Sequence, residues 1–139
     1  MKKIIIVMLV SLLFVCGCST KKTLKCNNSE LIQSNNYETN IKIKFKNKKI
    51  NKYELNMKVK IDQSNMEYFE YYYNSFADTF ENYKEIDGIK VELAKEKNSY
   101  NVKLNVDYNT YKGTIELINQ ELDYGQAKKY YEDLKYTCK

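Results

Sequence analysis

The sequence contains no histidine, no tryptophan, no proline and no arginine. Without histidine there is no imidazole base for a Ser-His or Cys-His nucleophile, and no imidazole ligand for zinc. Without arginine there is no guanidinium fork to read base edges, so nothing favours nucleic acid as a partner. Only four glycines are present and none falls in a GxGxxG or P-loop pattern, so a phosphate cradle has no candidate. The four cysteines, Cys16, Cys18, Cys26 and Cys138, include no C-x-x-C pair, which leaves dithiol redox chemistry without support.

What is present fits one domain: 139 residues, 43% hydrophobic and 29% charged. The net charge is +5 and all 23 cations are lysines. Met1-Lys2-Lys3 is a short positive segment, and Ile4 to Val15 is an apolar run broken only by Ser11. Twelve residues are too few to span a bilayer, which needs about 20. The run ends in Val15-Cys16-Gly17-Cys18, which resembles the bacterial lipobox. That signal needs a thiol at the membrane face and a small residue just before it. Gly17 before Cys18 meets the requirement, and bulky Val15 before Cys16 does not. We therefore expect residues 1–17 to be a removed signal peptide and Cys18 to be the lipidated first residue, carrying diacylglycerol and palmitate-type acyl chains. Two or more chains make a stable anchor. Loss of Lys2 and Lys3 lowers the net charge to +3.

Processing leaves two thiols, Cys26 and Cys138, in a compartment that permits oxidation. We expect them to be bridged; the alternative is two free thiols. A bridge would close a loop of about 112 residues, worth at most about 4.7 kcal/mol in the chain-entropy model.

Residues 18–36 are polar and read as a tether that lifts the domain from the membrane, and 37–139 read as a single folded domain. From Tyr37 the pattern has period two. Ile41, Ile43 and Phe45 share one face, and so do Tyr53, Leu55, Met57, Val59 and Ile61. A hairpin is expected, with a three-residue loop at 47–49. It sets Ile43 opposite Tyr53, Ile41 opposite Leu55, Lys42 opposite Glu54 and Glu38 opposite Lys58. Ser64-Asn65-Met66-Glu67 has a capping-box pattern. Met66, Phe69, Tyr73, Phe76, Phe80 and Tyr83 form an apolar stripe, so a helix is expected over about 65–84, with Asp87-Gly88 ending the segment. A second hairpin follows, turning at Lys97-Asn98, with Leu93 opposite Val102 and Val91 opposite Leu104. Residues 109–119 fit either a short strand or a buried loop. Asp123 with Gln126 suggests a cap for a last helix carrying Tyr124, Ala127, Tyr131 and Leu134. The order ββαββα implies an α+β fold: an antiparallel sheet of about four strands with two helices on its apolar face.

These features resemble the YehR-like family of small bacterial lipoproteins. The shared elements are the lipobox, the nearby Cys26, the hairpin ending Lys60-Ile61-Asp62, the aromatic helix, Gly88-Ile89-Lys90-Val91 and the closing Tyr136-Thr137-Cys138-Lys139. The family has no assigned activity, so the resemblance implies fold and location and no catalytic residue.

Four candidate sites follow. The loop Asp107–Gly113 lacks Gly and Glu at the positions a calcium loop requires. Glu85 with Asp87, or Glu121 with Asp123, could serve a small envelope hydrolase using carboxylates. Lys42, Lys44, Lys52, Lys58 and Lys60 could bind an anionic polymer or headgroups, or be a solvated face that guards an edge. Tyr68, Tyr71 and Tyr72 lie off the helix stripe and form a possible contact surface. The expectation is a lipoprotein anchored on the extracytoplasmic face of the bacterial cell membrane, non-catalytic and without cofactor or metal. It would bind an envelope protein or glycan, and no nucleic acid.

Overall fold

The structure is a computed structural model and describes residues 20–139. Cys16, Cys18 and the expected signal peptide lie outside the described residues. The elements are β1 (Lys21–Ile32), β2 (Asn35–Lys46), β3 (Lys49–Lys60), a 3-10 segment (Gln63–Tyr68), α1 (Phe69–Glu81), β4 (Ile89–Lys95), β5 (Ser99–Asp107), α2 (Tyr124–Asp133) and β6 (Thr137–Cys138). They form one six-stranded antiparallel sheet in the order β4-β5-β3-β2-β1-β6.

This corrects the expected four-stranded α+β sheet of order ββαββα. The fold is mostly β, and the missing strands are β1 and β6. β1 runs through the residues that read as a polar tether. It buries only Leu24 and Cys26, so its sequence looks like loop. Its backbone nevertheless pairs with β2 along its whole length, from Lys21–Lys46 to Ile32–Asn35. Without it, the apolar inward positions of β2 would lie on a bare edge. β6 is two residues long and is held beside β1 by backbone bonds and by Cys26 and Cys138. The two sulfurs are at disulfide distance and the Cα atoms stand 4.1 Å apart.

The register of both hairpins follows from alternation. Ile41–Leu55, Ile43–Tyr53, Lys42–Glu54 and Glu38–Lys58 are opposed as expected, and so are Leu93–Val102 and Val91–Leu104. The first connection differs in detail. Asn47 and Lys48 form a two-residue turn, both with positive φ, as type I′ geometry requires. An extra residue in β3, where the register shifts beside Lys44 and Phe45, then restores the parity that the three-residue loop was expected to supply. The β1–β2 turn, Gln33-Ser34, has the same positive-φ pair.

The inward positions form the core, with Tyr53, Leu24, Ile43, Val102 and Leu104 almost fully buried. α1 presents Phe69 and Phe80 to it, and α2 presents Ala127 and Tyr131. The helix expected over 65–84 is shorter, because a 3-10 segment replaces its first turn. Its cap is Asp62, whose carboxylate accepts from Ser64 N at 2.9 Å. α2 carries the expected reciprocal cap: Gln126 N donates to Asp123 and Asp123 N donates to the Gln126 side chain. Leu134, expected in the stripe, follows the last helical residue and is 50% exposed. Residues 109–119 are a largely exposed loop that sends Ile115 and Ile118 into the core, with an isolated bridge between them. Gly88 adopts φ +83°, and a Cβ there would stand 2.5 Å from Tyr111 N. Among the described residues every buried side chain falls between Leu24 and Tyr131.

Candidate functional site

β2 runs from Asn35 to Lys46, so the sheet has two ends roughly 35 Å apart along the strands. At one end the chain enters at Lys21, beside the Asn47-Lys48 turn. At the other lie the Gln33-Ser34 turn, the end of β3 and the start of α1.

The second end is organised by Asn35, which is 2% exposed. Its side-chain oxygen accepts from Asp62 N and from Asn65 Nδ2, both at 3.0 Å, and Asn65 also donates to Gln33 O at 2.7 Å. Two hydrogen bonds from Ser64 hold the Asp62 carboxyl below the usual carboxylate range. This clamp fixes where α1 starts and so where its tyrosines point. Tyr71 is 71% exposed and Tyr68 51%, while Tyr72 is half-buried between them. The Tyr72 ring lies 6.3 Å from Tyr68 and 6.0 Å from Tyr71, both edge-on. The structure thus brings the three together where the 3-10 segment meets α1, with Tyr72 packed in part against the core. Burial, followed by the nearness of Tyr72, raises the Tyr37 pKa. Beside the cluster, Lys95 donates to both oxygens of Glu70 at 2.8 Å and lies 4.9 Å over the Tyr73 ring. A groove of about 810 Å³ opens at this end, lined by Glu30, Leu31, Asn36, Lys60 and Gln63 among others. Leu31 is 75% exposed at its rim.

The sheet face away from the helices is polar. Asn27, Asn40 and Asn56 are neighbours across β1, β2 and β3, and Lys103 follows on β5. Four of the five lysines singled out in the sequence have acidic partners here. Lys42 and Lys44 share Glu54 at 3.3 and 2.8 Å, Lys52 meets Asp107 at 3.1 Å and Lys58 meets Glu96 at 3.3 Å. Desolvation raises the Glu54 pKa, but the hydrogen bonds and charges of Lys44 and Lys42 outweigh it and the net shift is downward.

The paired carboxylates are spread out. Glu85 and Asp87 are exposed, Glu121 bridges to Lys49 at 3.3 Å, and Asp123 is occupied in capping α2. No group of three metal-ligating side chains occurs among the described residues. The Asp107 loop is closed internally. Asp107 accepts from Asn109 N and Nδ2, and Lys112 places its ammonium on Asn109 O at 2.6 Å. A feature that the sequence pattern conceals is the lysine cluster at the entry end. Its signal is the pair Lys21-Lys22, inside a segment that reads as tether.

No protein-family model matches the chain, and comparison with curated proteins finds no match. Among solved structures it is similar to a protein of Streptococcus pneumoniae TIGR4 determined by NMR, at 16% identity and a TM-score of 0.52, covering 89% of this chain and 88% of that one. At that identity the likeness speaks to the fold alone.

Proposed function

We propose that the chain is a non-catalytic binding module, lipid-anchored through Cys18 on the extracytoplasmic face of the bacterial cell membrane, and akin to the YehR-like lipoproteins. Tyr68, Tyr71 and Tyr72 are its contact surface for an envelope protein or glycan. The observation that carries the reading is the placement of these exposed rings at the end of the sheet opposite the chain's entry. A module anchored near its entry would offer that end to partners in the envelope. The lipobox pattern supports the anchor. Aromatic rings held by neighbours present large contact area at low entropic cost.

Two measurements test the reading. A palmitate analogue should label the wild type and not Cys18→Ala; label that persists there and disappears in Cys16→Ala would overturn the assignment. Cross-linking in intact cells should capture a partner from the wild type and lose it when all three tyrosines become Ser. Turnover of an envelope glycan by the purified protein, abolished by a Glu→Gln change, would replace the module with a carboxylate hydrolase.

A further inference from the structure

The entry end of the sheet carries Lys21, Lys22, Lys46, Lys48 and Lys49. Register places Lys21, Lys46 and Lys49 on one face: Lys21 opposes Lys46 across β1 and β2, and Lys46 opposes Lys49 across the turn, while Lys22 opposes Phe45 and turns to the helix side. Like charges directly opposed weaken a sheet. Elsewhere on this face the cost is offset: Lys44 opposes Lys52, but Glu54 and Asp107 reach them. At the β1, β2 and β3 part of the entry end, two acids stand beside these five lysines; Asp107, at the β5 part, is taken up by Lys52, and Glu85 and Asp87 precede β4 there. Glu121 meets Lys49, and Asp123 sits near Lys22 and Lys48 while its carboxylate caps α2. Lys22 leans over the Tyr124 ring, at 5.4 Å. Among the described residues, Lys21, Lys46 and Lys48 form no ion pair.

The second observation is the position of this end relative to Cys18. The sequence suggests a long tether, but β1 begins at Lys21, and Thr20 O accepts a hydrogen bond from Asn47 N at 3.3 Å. Thr20 stands two positions after Cys18, with Ser19 between them, and extended chain covers at most about 7 Å over that step. A lipid on Cys18 therefore leaves the lysine end within about one Debye length of the headgroups.

We infer that this basic end docks on anionic phospholipid headgroups and sets the orientation of the domain on the membrane. The inference rests on the anchor reading for its geometry, and its chemistry is independent of it. The acyl chains supply affinity. The lysines decide which end faces the bilayer, and so send the tyrosines of α1 outward.

The test uses the unlipidated chain from Ser19 onward, which carries all six strands and both helices of the described residues. It is sedimented with vesicles of phosphatidylcholine alone, or of about three parts phosphatidylcholine to one part phosphatidylglycerol. Partition into the anionic vesicles should exceed that into the neutral ones by about tenfold or more, and high salt should abolish the difference. Lys46→Gln, Lys48→Gln and Lys49→Gln together should lower it about tenfold, and Lys90→Gln, Lys97→Gln and Lys103→Gln together by less than about twofold. Should the first triple variant melt early, Lys21→Gln alone takes its place, with an expected loss of about threefold. No preference for anionic vesicles, or an equal loss in the control triple, overturns the inference. The palmitate label decides the anchor separately: a chain unlabelled at Cys18 that still binds through these lysines sinks the anchor and keeps the surface.

Discussion

The two ends of the sheet are built by different means. The far end is organised by a buried amide: Asn35 collects Asp62 N and Asn65, and α1 starts from that clamp. The entry end is a tight I′ turn beside a strand start, and its chemistry is five lysines with two acids nearby. One end has fixed hydrogen bonds and exposed aromatic rings. The other has mobile ammonium groups on long stems. Buried amides position neighbouring groups closely. Lysine clusters confer attraction to an extended anionic surface and little shape selectivity. The difference suits a specific contact at one end and a membrane at the other.

The largest effect should come from the bond that holds β1 and β6 together between the two ends. Cys26→Ala with Cys138→Ala should cost about 2–5 kcal/mol in a denaturant melt, since the closed loop spans 112 residues. A loss below about 1 kcal/mol would mean that β1 holds its place by ladder bonds alone. Next is the clamp. Asn35→Ala leaves Asp62 N without its acceptor and should cost about 1–3 kcal/mol. Hydrogen exchange should quicken at residues 62–68 and stay unchanged at the Asn47-Lys48 turn; equal quickening at both would erase the distinction between the ends.

The tyrosine surface should matter less for stability. Replacing Tyr68, Tyr71 and Tyr72 by Ser should cost no more than about 1–2 kcal/mol in a thermal melt, since Tyr68 and Tyr71 are exposed and only Tyr72 packs in part against the core. Unfolding of that variant would place the rings in the core. The smallest effect concerns a single hydroxyl. Tyr108 OH is buried without a hydrogen-bond partner among the described residues, and burial pushes its pKa up to about 12. Tyr108→Phe should leave stability unchanged or raise it by up to about 1 kcal/mol. By contrast, Tyr131 OH donates to Leu117 O at 3.2 Å and accepts from Tyr53 OH at 3.4 Å, so Tyr131→Phe should lose about 1 kcal/mol.

The polar face between the ends should respond to acid. The folded pKa of Glu54 is depressed below 4.5, so its contribution is present above that value and is lost as pH falls through the folded pKa. The Tm of the wild type should fall more steeply below about pH 4.5 than that of Glu54→Gln. Parallel curves would show that the Lys42 and Lys44 pairs contribute nothing.

Period-two alternation makes β2, β3, β4 and β5 legible, because β2, β3 and β5 bury every second residue along most of their length and β4 turns Ile89, Val91 and Leu93 inward. It even gives their register, since cross-strand partners share a face. The same logic fails on β1, where burial is confined to Leu24 and Cys26 and the remaining positions face solvent or an edge. A strand defined by its neighbour's need for backbone partners leaves little trace in its own side chains. β6 is too short to show any period. The exposed tyrosines are readable as residues off a helical stripe. The basic end is not, because it exists only once β1 brings Lys21 and Lys22 beside Lys46 and Lys49.

Which end faces the bilayer is the most direct point of test. A photoreactive residue placed at position 48, or at position 71, in the full chain expressed in intact cells would report it. Lipid adducts from position 48 should exceed those from position 71 about tenfold, with protein or glycan adducts mainly from position 71. Equal lipid labelling at the two positions, or more at 71, would contradict an entry end docked on the membrane.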